Sequence, residues 1–346
     1  MPRHLIAVSP GEAKLEDVSI GQLGPTEIAI DLSLSAEKHG TTLPTFTSER
    51  SQQEETFDPE TRLFLDGADS HSPERFPFAL GNMGVGVVRE VGDQTERFAV
   101  GDRVYGYLPI GETVIADETD RIWHAPADIG DEALVSVDPA TVGVLATRYG
   151  DVRIGDHVAI FGLGAIGLMT VQLCVDAGAL HVIGIDPISA RRSLATEYGA
   201  TATYDPTAID VGRHITESID NEGVDVTIET SGVYAALQDA IRTTRYAGRI
   251  VPVSFYHGEI SALDLAKEWH FNRQEMISGA RVESEPYRDH PRWDRDRVYE
   301  CVLSLFEQQR LDAENLVTTV SLDAAPEAYA ELAADPTNCL KLAVEY

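Results

Sequence analysis

The sequence predicts an α/β protein in two parts, a β-rich domain and a doubly wound domain with a parallel sheet. Three observations predict it. The first 125 or so residues are short apolar or alternating runs broken by Gly, Pro and Asp, the pattern of strands and turns. From about Val152 onward, strand-like and helix-like segments alternate. At the first strand-to-helix junction of that second part stands a glycine-rich turn, Gly162-Leu163-Gly164-Ala165-Ile166-Gly167.

In chain order, HLIAV, EIAIDLSL, GVGVVREVG and DRVYGYL are the strands expected of the first domain. Residues 46–76 interrupt them. That stretch is polar and acidic with few β-branched residues, and reads as an inserted surface loop or lid. In the second domain HVAIFG is an apolar strand, and AIGLMTVQLCVDAGA is a helix stopped by Gly178. HVIGID is the next strand, and SARRSLATEYGA a helix ending at Gly199. VDVTIETSG, AALQDAIRTTRYAG and RIVPVSFY repeat the strand–helix–strand unit, which implies a parallel sheet with right-handed crossovers. Trp269 and His270 read as a strand or turn after the last of these strands. Beyond Trp293 the chain is helical again (DRDRVYECVLSLFEQQRL), then closes with TTVSL, a short helix after Asp323 and the strand CLKLAVEY. That ending is not a further βα unit, and it is expected to return to the first domain. The boundaries so read are 1–139, 140–285 and a returning segment 286–346.

The chain has 346 residues, enough for one or two domains of roughly 100–200 residues. Asp and Glu number 57 against 27 Lys and Arg, a formal net charge of −30. A hydrophobic share of 43% excludes a disordered chain. The acidic balance excludes duplex nucleic acid and anionic membrane as partners, because both require a basic surface. The acids are spread along the chain, with no long run of one sign that would mark an interaction tail. Lys14, Lys38, Lys267 and Lys341 are the only lysines. Acidic excess with lysine depletion fits the cytosol of a halophile, since at 1 M salt the Debye length is about 3 Å and carboxylate repulsion is screened. Cys174, Cys301 and Cys339 form no CxxC pair, which argues against a disulfide framework or a zinc ribbon. The N-terminal MPRHLIAVSPGEAKLEDV lacks a signal-peptide core, and no run approaches the roughly 18 apolar residues of a membrane span. The expected location is cytoplasmic.

The turn from Gly162 to Gly167 is a G-x-G-x-x-G that follows a strand and opens a helix. Asp186 ends the next strand 19 residues beyond Gly167, close to the spacing of about 20 that a dinucleotide fold requires. The glycines allow a tight turn and bring backbone amides near the pyrophosphate at the positive end of the helix. A carboxylate at Asp186 bonds a ribose diol and repels a 2′-phosphate, which favours NAD(H) over NADP(H). Arg191 and Arg192 lie one helical turn further on and are placed to pair with a phosphate, stack on adenine, or line the helix surface.

Read whole, the chain resembles the medium-chain dehydrogenase/reductase superfamily, the relatives of zinc alcohol and polyol dehydrogenases. The resemblance is carried by ALGNMGVGVVREVG with FAVGDRVYGY, by GDHVAIFGLGAIGLMTVQL, and by VDVTIETSGVYAAL with AGRIVPVSFY. It implies a GroES-like β-rich catalytic domain and a Rossmann domain, with Ser231, Gly232, Ser254 and Phe255 joining the 162–167 turn, Asp186 and Arg191 at the cofactor. The family's zinc ligands are replaced. Its Cys-Gly-Thr-Asp motif reads His39-Gly40-Thr41-Thr42, its Gly-His-Glu reads Gly81-Asn82-Met83, and its Glu-Pro reads Asp138-Pro139. Tyr105 to Glu118 contains no cysteine, so the lobe that binds a structural zinc is absent. A catalytic zinc needs three N, S or O ligands and an open position. Amide and thioether are poor substitutes, so no catalytic zinc is expected; a rescued site would use His39 and Asp138 with His71, Asp66 or Asp69 of the insertion. Trp269-His270-Phe271-Asn272-Arg273 and the ending from Asp335 to Lys341 resemble a zinc-poor subgroup that includes bacteriochlorophyllide dehydrogenase-like members.

Without a Lewis acid, charge developing on a substrate oxygen must be met by hydrogen-bond donors or an imidazolium. Thr41 matches the hydroxyl of the family's proton relay, or else satisfies its own turn. His39 stands at a former ligand position as a general acid/base, or fills the vacated metal site. Asn82 donates to substrate oxygen or links loops. Asp138 orients His39, accepts a proton, or caps a helix starting near Pro139. Lys38 is an electrophile or an exposed charge. These readings fit an oxidoreductase acting on a secondary alcohol or ketone such as a sugar or polyol, with a small-molecule substrate. The alternatives are a zinc-free enone or quinone reductase, and a nucleotide-binding protein that has lost its activity. The resemblance further implies a homodimer or homotetramer, through RIVPVSF as the edge of the Rossmann sheet.

Overall fold

A computed structural model describes residues 1–47, 55–58, 60–66, 76–256, 260–279 and 293–346, with backbone alone at His39, Thr41, Glu55, Thr56, Asp66 and Ser261. The chain divides into two compact units, Met1–Val135 with Leu316–Tyr346, and Ser136–Asn315.

The first unit begins with β1 (Arg3–Ser9), β2 (Glu12–Asp17), β3 (Glu27–Ala36) and the short helix α1 (His39–Phe46). The expected insertion contains a small antiparallel hairpin, β4 (Glu55–Asp58) and β5 (Leu63–Asp66). There follow β6 (Phe78–Ala79), β7 (Met83–Val91), β8 (Arg103–Gly106), β9 (Thr113–Asp117), β10 (Ile122–His124) and α2 (Asp131–Val135).

The second unit opens with α3 (Val137–Gly150), β11 (His157–Phe161), α4 (Ala165–Asp176), β12 (His181–Ile185) and α5 (Ser189–Glu197). It continues through β13 (Ala202–Tyr204), α6 (Val211–Ser218), β14 (Val224–Glu229), α7 (Tyr234–Thr243) and β15 (Thr244–Pro252). It ends with α8 (Glu268–Phe271), β16 (Glu275–Met276) and α9 (Arg295–Glu307). The chain then returns to the first unit as β17 (Val317–Ser321), α10 (Ala325–Ala334) and β18 (Lys341–Glu345).

In the first unit, β18 pairs antiparallel with β3, which pairs with β7, in the sheet order β10-β8-β7-β3-β18-β17. Alternation along β3 places Ile28, Ile30 and Leu32 in a core with Val88, Phe98, Val104 and Ile122. A second cluster gathers Leu5, Phe46, Leu80 and Ile110 with Leu322, Tyr329 and Leu342 of the returning segment.

In the second unit the strands run in the parallel order β13-β12-β11-β14-β15-β16. The order reverses between β11 and β14, and such a switch point opens a crevice at the carboxyl ends of the strands. Strands covered on both faces must be apolar throughout, which explains HVAIF and HVIGI as continuous runs. Ala159, Phe161, Ile183 and Ile185 pack with Val211, Ile215 and Ala240 beneath the sheet's helices.

Several expectations differ from the structure. The returning segment starts at Leu316 rather than 286, because α9 belongs to the second unit. Helix α7 stops at Thr243, and Thr244 opens β15. The hydroxyls of Thr243 and Thr244 bond back to the carbonyls of Asp239 and Ala240, each at 2.7 Å, and β-branched residues disfavour helix continuation. RIVPVSF is not an edge, since β16 pairs outside it, and a two-residue strand leaves no pattern to read. Trp269 lies in the one-turn helix α8, drawn against the core of Leu237, Ile241 and Ile250. Asp138 is not a helix cap. Ser136 holds that position, and Asp138 sits buried in the first turn of α3, where the helix dipole favours an acid.

Candidate functional site

The glycine turn sits between β11 and α4 as the sequence spacing requires. Gly162 has φ +85°, and a Cβ there would lie 2.9 Å from both the backbone nitrogen and the Cβ of Ser231. At Gly167 a Cβ would meet the Gly162 carbonyl oxygen at 1.9 Å, so this glycine lets the helix approach the strand. Gly164 is different. It caps α4 with φ −74° and ψ −171°, an ordinary conformation, and among the described residues nothing lies within 4 Å of the Cβ it lacks. No internal crowding demands glycine at this position. The open space lies at a helix N-terminus, where free amides and the dipole favour an anion.

Asp186 follows β12 and is 4% exposed. Its Oδ2 accepts from the Leu163 amide and its Oδ1 from the Ile188 amide, each at 2.8 Å, so the carboxylate ties the glycine turn to the next loop. Arg191 Nη1 stands 3.8 Å from the same carboxylate. Arg192 donates to the Asp186 carbonyl at 2.6 Å and pairs with Asp205 at 3.4 Å. Thr230, after β14, donates its hydroxyl to the Gly162 carbonyl at 2.7 Å. Ser254, after β15, donates to the Thr230 carbonyl at 2.5 Å, and a Cβ on Gly232 would lie 3.0 Å from the Phe255 carbonyl. The structure thus brings the 162–167 turn, Asp186, Arg191, Ser231, Gly232, Ser254 and Phe255 to one rim of the second unit's sheet.

Sequence reasoning missed Glu229, which ends β14 with no exposed surface. Burial raises its carboxyl pKa, while hydrogen bonds from Ser231, Tyr256 and Gly232 pull it back. Its sequence signal is an acid closing the apolar run VDVTIE, the position Asp186 occupies after HVIGI.

The other candidates lie in the first unit, Asp138 excepted. Asn82 donates its backbone amide to the Ala36 carbonyl at 2.9 Å, and Met83 opposes Ala36 in the β3–β7 ladder. Asn82 and the first turn of α1, with His39 and Thr41, therefore stand at the same end of this strand pair. Gly81, at φ +113°, has the Ile110 nitrogen 2.7 Å from the missing Cβ, so the loop before Asn82 presses on a neighbouring backbone. The Asn82 side-chain Nδ2 is buried and has no hydrogen-bond partner among the described residues. Beneath this end, buried Glu37 accepts from the Tyr329 hydroxyl, and its carbonyl accepts from Lys341 Nζ at 2.9 Å. Burial raises the Glu37 pKa, opposed by Tyr329, Thr42 and Lys341. The physical role of Lys341 in the chain's ending is thus to brace the entrance to α1.

Of the residues at the family's zinc positions, Asn82 and Met83 are not ordinary zinc ligands. Met83 is fully buried in the strand pair, and Asn82 offers a neutral amide. Among the described residues no three His, Cys, Asp or Glu side chains could hold a metal ion together. His71 and Asp69, and the side chains of His39 and Asp66, fall outside the described residues. Among the described residues no helix is long and apolar enough to cross a membrane.

A Rossmann-ordered sheet with this glycine cradle, in one chain with a β-rich unit, is the layout of a two-domain dehydrogenase. A profile of the family described as zinc-binding dehydrogenase matches residues 165–291. D-guloside 3-dehydrogenase of Escherichia coli K12 is 35% identical over 350 residues, covering 99% of this chain and 100% of that one. (R,R)-butanediol dehydrogenase of Bacillus subtilis 168 is 29% identical over 274 residues, covering 71% and 74%. The crystal structure of 2R,3R-butanediol dehydrogenase from Bacillus subtilis superposes with TM-score 0.79 at 24% identity, covering all of both chains. The chain belongs to the zinc-binding dehydrogenase family of the medium-chain dehydrogenase/reductases and is an oxidoreductase of alcohol-dehydrogenase type.

Proposed function

We propose that the chain interconverts a secondary alcohol and a ketone on a sugar or polyol, using NAD(H) and no catalytic zinc, in a salt-rich cytoplasm. The observation that carries the cofactor reading is Gly164, a glycine at the N-terminus of α4 whose missing Cβ would meet no described atom within 4 Å. The 162–167 amides would hold the pyrophosphate, Asp186 the adenosine ribose, and the loops at Ser231–Gly232 and Ser254–Phe255 the second half. NAD(H) held by these residues would supply the hydride acceptor for oxidation and the hydride donor for reduction. The substrate class is supported by full-length similarity to an enzyme named for the 3-position of a guloside.

The chain's own residues supply the proton chemistry. Oxidation releases a proton from the alcohol, and His39 is assigned as the base that takes it. Thr41 and Asn82 are assigned to the substrate oxygen. Asn82 Nδ2, which has no partner among the described residues, is a donor that a developing alkoxide would satisfy where no Lewis acid is bound. The subgroup of zinc-poor relatives and a homodimer or homotetramer belong to the same reading.

The test is protein purified in molar KCl. NADH fluorescence titration and total-metal analysis come first, followed by NAD+ reduction with glycosides, polyols and 2,3-butanediol. Binding, turnover of a secondary alcohol and substoichiometric zinc are expected. Stoichiometric zinc overturns the metal-free mechanism, and absence of NADH binding overturns the whole reading.

A further inference from the structure

The buried Glu229 carboxylate accepts four hydrogen bonds. Oε1 takes the Ser231 amide at 2.7 Å and the Ser231 hydroxyl; Oε2 takes the Gly232 amide at 3.2 Å and the Tyr256 hydroxyl. An ionised carboxylate has about four acceptor sites, so none remains for a ligand. Ser231 and Gly232 follow β14, and Tyr256 follows β15. A single side chain therefore stitches the two loops that succeed neighbouring parallel strands. The Val253 amide bonds the Glu229 carbonyl at 2.9 Å, and the Tyr256 ring packs on Tyr234 at 5.2 Å between centroids. A buried charge is costly, and an apolar residue would serve stability as well. A carboxylate kept here holds backbone amides in a fixed orientation.

A doubly wound sheet receives a dinucleotide as two mononucleotide halves across its switch point. Asp186, on the β12 side, serves one half; the loops after β14 and β15 lie on the other. We infer that Glu229 and Tyr256 are positioning residues that fix the 230–232 and 253–256 loops in the shape received by the nicotinamide-ribose half, without touching the cofactor. The inference rests on the nucleotide reading above, and the experiment separates the two.

Wild type, Tyr256→Phe and Glu229→Gln are titrated with NADH and with ADP-ribose, which lacks the nicotinamide nucleoside, and each is melted thermally. Tyr256→Phe removes one charge-assisted hydrogen bond and keeps the ring. The expected result is about a 10-fold loss of NADH affinity with ADP-ribose affinity within about twofold of wild type. Glu229→Gln is expected to move in the same direction and further; if it fails to fold, Tyr256→Phe decides. A protein that merely lost stability would weaken for both ligands alike. Equal loss for both ligands, or no loss for either, overturns the positioning role while leaving the nucleotide site intact. Wild type that binds neither ligand overturns the nucleotide reading, and the positioning role with it.

Discussion

Gly164→Ala should separate ligand binding from stability, and the structure fixes both magnitudes. The added methyl meets nothing within 4 Å, and φ −74° with ψ −171° suits any residue. Replacing Gly by Ala at a compatible site stabilises by about 0.4–1 kcal/mol through the unfolded chain. Alanine is the poorer helix cap, by roughly 1 kcal/mol. The two offset, so the melting temperature should stay within about 2–4 °C of wild type. Binding should respond otherwise. A methyl in front of the α4 amides holds the pyrophosphate off, and one lost charge-assisted bond is worth about 1.5–3 kcal/mol, a factor of roughly 10–150 in Kd.

Gly167→Ala is the counterpart. Its Cβ would fall 1.9 Å from the Gly162 carbonyl oxygen, which is backbone and cannot swing aside. Overpacking of this kind costs about 1–3 kcal/mol, so stability falls together with affinity. The assay is NADH fluorescence titration beside thermal melting in one buffer. Wild-type affinity in Gly164→Ala would mean that no pyrophosphate lies in front of the α4 amides, and a loss of stability matching that of Gly167→Ala would mean that the site is not open.

Asp186→Ser should lower the NADH-over-NADPH preference by about 10–100-fold, because the repelling carboxylate goes while Arg191 and Arg192 remain; paired titrations with the two cofactors measure it. Asn82→Leu should reduce kcat by about 100-fold with NADH affinity unchanged, since it deletes a donor to the developing oxyanion; steady-state kinetics beside cofactor titration check the split. Glu229 has a folded-state pKa raised above 4.5, so its contribution to stability is full below that pH and is lost as pH rises through the folded value. Melting of Glu229→Gln against wild type from pH 4 to 7 should therefore shift in the variant's favour as pH rises. NADH affinity and activity should increase toward molar KCl, because salt screens a net charge of −30; full activity and stability in dilute buffer would remove the high-salt reading.

The parallel sheet was legible because its information is local. Each strand is an apolar run and each helix a periodic one, and the glycine turn and Asp186 fall within one βαβ unit. The errors came where tertiary structure overrides local pattern. Thr244 leaves α7 for the sheet, pairing with Val224 and meeting the Thr227 hydroxyl of β14 at 2.8 Å, and β16 is set by pairing with β15 rather than by any pattern in its two residues. On the β-rich side, the bracing of α1 joins Glu37 to Tyr329, 292 positions away, and no window of sequence contains both.

Asp186 and Glu229 show what sequence leaves undecided even where the signal is equal. Each is an acid closing an apolar parallel strand at the edge where such sheets take ligands. The difference lies in how many acceptor sites the protein itself fills. Asp186 takes two backbone amides with a guanidinium at 3.8 Å, which leaves capacity for a ribose diol. Glu229 takes four donors and is saturated. The first can therefore be a contact residue, whereas the second can act only through the loops it holds. That distinction depends on Tyr256, 27 positions on and after another strand, and so it becomes visible only once the chain has folded.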